Sequence, residues 1–444
     1  MTKKLAIILM CITDFSIVFA SIDINGYLQT DDRLRIKDWQ FSWQEYRLCL
    51  VTDFKPMDKV HFYSETWLRS FGFTDVKNSN DLQNKDKVTP VNLDFREAYV
   101  DLNSFFFNNL DLRIGRQRIA WGTADKLNPT DNLNPNDLED IWDFGRHLGS
   151  NSIKASYYIK DLAITGVFIP AFTPAVLPSN DWLSAFTSAY SLPNYFAYQN
   201  ISDTIIMPSN KLKESAIWGA KIFKNILGFD WSVSYVKGRY DLPMLSKLIF
   251  TPTGTVGLVN LSSQLVYPRM QVIGADMAGG LGGVGVWAEA AMFLPEKTIL
   301  TTDLSAFGMG TSDSVILDNK PYFRYVLGLD YSFKNGIYIN GQYLHGFFND
   351  RGKDNLQDYL MIGLDYKLLE EKLKLSPING ALEIKQWKNL KNNYAFVISP
   401  ELSYQPTDGA ELILGFRWLD GKPTTTFGRV KDNDEVYLKV KYSF

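Results

Sequence analysis

Along residues 322–333 every second side chain is large and apolar. Phe323, Tyr325, Leu327, Leu329, Tyr331 and Phe333 form one row, and Arg324, Gly328, Asp330 and Ser332 fall on the other. The period recurs at 410–419, where Leu412, Leu414, Phe416 and Trp418 oppose Glu411, Gly415 and Arg417. It returns as Val436, Leu438, Val440, Tyr442 and Phe444 against Glu435, Lys439, Lys441 and Ser443. A repeat of two is that of a β-strand with one apolar and one polar face. Aromatic residues close the apolar rows, as they do where strands meet the two edges of a bilayer.

Segments of this kind fill the chain. They are read at 25–30, 39–54, 60–73, 92–103 and 110–121, and then as paired runs. The pairs are 152–159/162–169, 215–224/229–240, 266–278/284–294, 322–333/337–347, 358–368/376–387 and 394–405/410–419. Short turns join the members of each pair; at Asn335-Gly336 the turn chemistry is that of a tight hairpin. Long polar connections separate the pairs, at 74–90, 170–213, 241–265, 295–320, 348–357 and 420–433. About eighteen strands, short turns at one end and long loops at the other predict an all-β transmembrane antiparallel barrel.

Composition agrees. Tyr and Phe dominate an aromatic content of 14%, and no apolar run after the N-terminus is long enough for a transmembrane helix. Lys3 and Lys4 precede apolar runs from Leu5 to Ile12 and Phe15 to Phe19, ending at Ala20. This is the pattern of a secretory signal over 1–20, with 21–444 as the barrel. Met10 before Cys11 is not the small residue a lipoprotein signal needs. Losing Lys3, Lys4 and Asp14 with the signal leaves a net charge of about −4, which argues against nucleic acid as a partner. Only Cys49 remains after processing, and His61, His147 and His345 are far apart, so neither a metal nor another cofactor is expected.

One stretch departs from the wall pattern. Strand 110–121 carries Arg113, Arg116 and Arg118 and opens into 122–149, which holds Asp125, Asp131, Asp137, Glu139, Asp140 and Asp143. Pro129, Pro135 and the Asx residues around them make this loop stiff. Leu133, Leu138, Ile141, Trp142 and Phe144 give it apolar groups to bury. It is expected to fold into the barrel as a constriction, with Asp125, Asp131, Asp137 and Asp140 facing the wall; a rigid cap outside the barrel is the other arrangement. Arg113, Arg116, Arg118, Arg324, Arg417 and Asp330 are expected to line the pore, because a charge facing lipid at the midplane costs about 2–4 kcal/mol. For Arg116 and Arg118 this requires a kink at Gly115. The 170–213 loop, with a short helix over 181–190 and Trp182, Phe186, Tyr190, Tyr195, Phe196 and Tyr198, is a second candidate plug or sugar-stacking surface.

Catalytic signals are weak. Gly280-Leu-Gly-Gly-Val-Gly285 matches a dinucleotide pattern, but strands flank it on both sides, so it reads as a glycine-rich turn. There is no G-x-S-x-G elbow and no H-E-x-x-H, and His147 in the 122–149 loop has no serine motif beside it. An enzyme is not expected.

At Gly115-Arg-Gln-Arg-Ile-Ala-Trp-Gly122, followed by Asp125 and Pro129-Thr-Asp-Asn-Leu-Asn-Pro135, the chain resembles a group of bacterial outer-membrane barrels related to the alginate-export type of porin. The resemblance implies a monomeric barrel of about eighteen strands that passes hydrophilic solutes, anionic saccharides among them. The loops of this chain are not strongly basic, which departs from a conduit for a polyanion. The final strand ending in Phe444 resembles the signal by which the barrel-assembly machinery recognises such proteins. The expected location is the bacterial outer membrane, with its lipid, the assembly machinery and small hydrophilic solutes as partners. The expected role is a passive channel. The alternative is a closed barrel acting as a scaffold for a cell-envelope complex.

Overall fold

The computed structural model describes residues 22–186 and 196–444. The signal read at 1–20 and residues 187–195, with part of the helix expected over 181–190, lie outside the described residues. The strands are β1 (Ile22–Arg35), β2 (Gln40–Met57), β3 (Val60–Phe71), β4 (Val91–Leu102), β5 (Leu110–Gln117), β6 (Ser150–Ile159), β7 (Leu162–Ile169) and β8 (Ala197–Ile206). They continue as β9 (Ile217–Ile226), β10 (Phe229–Arg239), β11 (Met244–Pro252), β12 (Leu258–Val266), β13 (Arg269–Leu281), β14 (Val284–Pro295), β15 (Thr298–Asp303) and β16 (Thr311–Leu317). The last are β17 (Tyr322–Ser332), β18 (Ile337–His345), β19 (Asp358–Leu368), β20 (Leu373–Ile384), β21 (Tyr394–Ile398), β22 (Glu401–Tyr404), β23 (Ala410–Gly421) and β24 (Glu435–Ser443).

All but five of these strands join one sheet, and each pairs antiparallel with its sequential neighbour in that sheet. β21 and β22 are two halves of one strand between β20 and β23. The sheet closes where β1 meets β24, from Tyr27 opposite Ser443 to Arg35 opposite Glu435. Gly26 and Phe444 exchange backbone hydrogen bonds at that seam (3.0 and 3.1 Å). The result is a closed barrel of eighteen strands, which removes the free edges an open sheet presents.

The alternating rows settle on opposite faces. Leu327, Leu329, Leu412, Leu414, Leu438 and Val440 are exposed on the outside, while Arg324, Arg417 and Glu435 are buried on the inside. Gly336 (φ +85) supplies the left-handed turn between β17 and β18. Gly282 and Gly283 do the same between β13 and β14. No helix among the described residues is long and apolar enough to cross a membrane, which says nothing of the strands.

Three segments read as loops are only partly so. β8, β11, β12, β15 and β16 form a separate five-stranded sheet at the loop end of the barrel. The β11–β12 hairpin lies at its centre, with β8 parallel to β12 and β15 parallel to β11. Leu248, Phe250, Val259, Leu261 and Leu300 are buried on one of its faces and pack with Leu304 and Phe307.

Candidate functional site

Beyond Gln117 the chain leaves the wall. The Arg118 guanidinium grips the Asp131 carboxylate, and the Asn134 side chain accepts from the Ile119 amide (2.7 Å) and donates to the Gln117 carbonyl (3.1 Å). Asn132 closes onto the Pro129 carbonyl (2.7 Å), and the Trp142 amide donates to Asp140 (3.0 Å). These side-chain-to-backbone bonds fix the loop against itself.

The loop is then fastened around the inside of the barrel. Arg33 on β1 holds Asp140 with two bonds (2.7 and 2.5 Å) while its other edge holds Asp31. Arg69 on β3 reaches Glu139 (2.8 Å) and Glu45 (2.5 Å). Arg96 on β4 bonds Asp137 (2.8 Å), which Arg146 also neutralises. Across the lumen, Glu289 on β14 accepts from the amides of Thr123 (3.0 Å), Ala124 (3.2 Å) and Thr130 (2.6 Å), from the Thr130 hydroxyl and from the Asn128 amide group. Trp142 donates to Glu435 on β24 (3.1 Å) under the stacked guanidinium of Arg417 (4.7 Å). Phe144 meets Phe347 and Phe427 edge-on (5.9 and 6.4 Å). Fork-shaped arginine–carboxylate pairs of this kind are both strong and geometrically exacting.

These pairs set the charge state of the loop. Burial works against the Asp140 anion, but the Arg33 guanidinium outweighs it and holds the carboxyl well below its ordinary value of 3.8. Asp131 and Asp137 are shifted the same way, Asp131 by Arg118 and Asp137 by Arg146 and Arg96, each against burial. His147 is pushed down by burial, and its Nδ1–H donates to the Gly145 carbonyl (2.7 Å). Among the described residues no cluster of ligating side chains fits a metal ion.

Two cavities flank the loop. A polar one of about 760 Å³ lies toward the turn end and is bounded there by Lys374, Glu411, Lys439 and Lys441. A narrow one of about 60 Å³ lies toward the loop end, beside Tyr240, Asp241 and Arg324. Lys126, Leu127, Asp140, Asp143 and Phe144 border both, so this part of the loop separates them.

The expected site residues divide accordingly. Asp125 borders the larger cavity, and Asp140, paired with Arg33, borders both; Asp131, beside the smaller one, and Asp137 are likewise buried in ion pairs that hold the loop. Arg417 borders the larger cavity, paired with Glu435 (2.9 Å). Arg324 borders the smaller one, where it braces the Phe347 and Phe348 carbonyls (3.1 and 2.9 Å). Arg113 lies on the inward row and pairs with Asp101 (2.6 Å); Asp330, also inward, accepts from Tyr338 (3.0 Å).

Two arginines depart from expectation. Arg116 stands opposite Ala98 and Asn151, on the face shared with exposed Ile114 and Ile153, and therefore points outward. Arg118 is within the loop rather than on the wall. Gly115 does have a positive φ (+136°), but alternation continues through it; a Cβ there would lie 2.4 Å from the Ala98 carbonyl, so the residue permits close strand approach. Trp182 and Phe186 are buried against Trp142 (5.3 Å) and Phe348 (5.4 Å), in the helix Asn180–Phe186, so they are not an open stacking surface. Phe196 packs in the five-stranded sheet beside Phe250. Tyr190 and Tyr195 lie outside the described residues. Arg33, Arg69, Arg96, Glu289 and Glu435, the wall groups that hold the loop, were not singled out in the sequence as its partners. In the structure they stand on the inward side of their strands, but nothing local in the sequence marks which inward charge meets the loop.

The fold is that of outer-membrane barrels. OccAB3 of Acinetobacter baumannii superposes with a TM-score of 0.51 at 11% identity, covering 96% of this chain and 99% of that one. OmpT, an outer membrane protein of Vibrio cholerae, is similar at a TM-score of 0.42 and 8% identity, over 97% of this chain and 99% of that one. No curated protein matches the sequence. A family model described as a protein of unknown function (DUF1302) matches residues 70–348, more than half of the chain and including the whole of the loop, and the chain belongs to that family.

Proposed function

We propose that the protein is a channel of the bacterial outer membrane for small hydrophilic solutes, with the 122–149 loop as its constriction. The observation that carries this is the pair of cavities, one wide and polar, one narrow, meeting at Lys126, Asp140 and Phe144. In such barrels the short turns face the periplasm and the long loops the outside. The wide cavity is then a periplasmic vestibule.

Selection by sign is weak in this reading. Arg33, Arg69, Arg96, Arg113 and Arg417 each sit on a carboxylate, which cancels the positive ladder. Tyr27, Trp67 and Trp142 line the vestibule among acids and bases. Neutral polar solutes, saccharides in particular, fit that lining better than anions do; this is also the part of the resemblance to alginate-export porins that we retain. The test is swelling of liposomes carrying the folded protein. Faster entry of mono- and disaccharides than of a larger sugar, with equal rates for matched anions and cations, is the expected result. No entry of any solute refutes the channel.

A closed barrel serving as a scaffold is favoured by one observation: Leu138, Ile141, Phe347, Phe427 and Tyr359 form a continuous buried cluster inside the lumen. That reading predicts no conductance even after residues 123–148 are deleted.

A further inference from the structure

The outer wall carries a trough of about 1060 Å³ between β14 and β21, at the top of the roughly 300–1,000 Å³ range of small-ligand pockets. Leu327, Ile339, Leu360, Ile362, Leu382 and Phe396 line it. Its floor includes Gly341, where an added Cβ would meet nothing within 4 Å. The hollow lies beside an irregular stretch of wall. The β19–β20 register shifts between Leu364 and Tyr366, and the ladder on the far side of β20 breaks between Ser376 and Gly380, where β22 gives way to β21. Pro377 and Pro400 sit in that break and lack the N–H that would mend it. Such irregularities bend a sheet locally.

A polar cluster closes the loop end of the trough. Tyr343 lines the trough and donates its hydroxyl to Asp358 (2.8 Å). His345 Nδ1 meets the same carboxylate oxygen at 2.6 Å, and the Trp387 indole N–H donates to the other oxygen. Tyr325, His345 and Asp358 are successive cross-strand partners, so all three share the outward face. With Nδ1 committed to Asp358, the His345 ring keeps Nε2 with no partner among the described residues, and its side chain is 28% exposed. An aspartate on the outside of a barrel is costly unless its hydrogen bonds are met; here they are met by residues that also leave one nitrogen available.

We propose that this is a lipid site. An acyl chain fills the trough, and the phosphate of the same lipid sits on His345, with both ring N–H groups donating, one to each anion. The trough lies at the height of the apolar rows, where hydrocarbon rather than water must fill a hollow. The inference rests on the membrane location proposed above, not on conduction.

Native mass spectrometry of the full chain folded in detergent, with phosphatidylglycerol or lipid A added separately, tests it. One-to-one adducts are expected with a phosphate lipid, and the preferred one identifies the source. Gly341→Leu, which fills the trough, and His345→Phe, which keeps a ring stacked on Tyr325 as His345 is (centroids 4.9 Å apart) but loses the donor, should each lower occupancy about tenfold. Both should retain the gel mobility of a folded barrel. Equal adducts on the wild type and His345→Phe, or equal uptake of phosphate-free diacylglycerol, overturn the site. Should Gly341→Leu fail to fold, those two comparisons decide alone. Conduction without lipid adducts removes this site and leaves the channel; adducts without conduction do the reverse.

Discussion

At the scale of single residues, the loop is held by a few buried charges whose removal has a definite direction. Asp140→Asn leaves the Arg33 guanidinium with Asp31 alone. Breaking a buried pair costs about 3–5 kcal/mol, so the constriction should loosen and single-channel current become larger and noisier. Acid breaks the same pairs, but only at low pH. Asp131, Asp137 and Asp140 have folded-state values below their ordinary 3.8. Groups depressed in this way contribute stability that is present above the ordinary value and is lost as pH falls through the folded one. The ion pairs of Asp131, Asp137 and Asp140 should therefore hold from pH 7 to about 4 and open only below that; carboxyl NMR signals of these three aspartates titrating at pH 5 or 6 would contradict the pairing. Glu289 acts differently, through amides and not cations. Glu289→Gln points an N–H at those amides, at about 1–3 kcal/mol. Hydrogen exchange at Thr123 and Thr130 should speed up while the barrel strands stay protected. The acids of this loop were legible in the sequence, but their partners were not: Arg33 is 107 residues from Asp140 and Glu289 is 159 from Thr130. Separations of that size are fixed by barrel closure, not by any local pattern.

At the scale of elements, what two-residue alternation could show, it showed. Eighteen wall strands, short turns on one end and Asn335-Gly336 as a hairpin all stand in the structure. Three things escaped. Strand 394–405 is interrupted near Pro400, where a missing N–H interrupts the ladder. Arg116 falls outward because Gly115 keeps the register instead of shifting it. The five-stranded sheet falls in segments read as loops: Leu248-Ile249-Phe250 in β11 and Ser262-Ser263-Gln264 in β12 break the two-residue alternation, and two of its four pairings are parallel and join segments from different loops, which sequence adjacency cannot suggest. This sheet has its own core, separate from the lumen. Phe250→Ala should cost that core about 3–5 kcal/mol. Limited proteolysis should then cut within 197–317 while the folded barrel keeps its gel mobility. Loss of the barrel with it would contradict the separation.

At the scale of the whole molecule, a barrel of eighteen strands has room for water, and the loop decides how much of that room remains. Arginines on β1, β3 and β4 pull the loop from one side, and Glu289 on β14 pulls from the other. The wide cavity and the narrow one are consequences of that tension across the lumen. Single-channel recording of the folded protein in a planar bilayer, beside a variant lacking residues 123–148, tests this account most directly. Small, steady steps from the intact chain and several-fold larger steps from the variant are the predicted result. Silence from both would contradict it and leave a closed barrel.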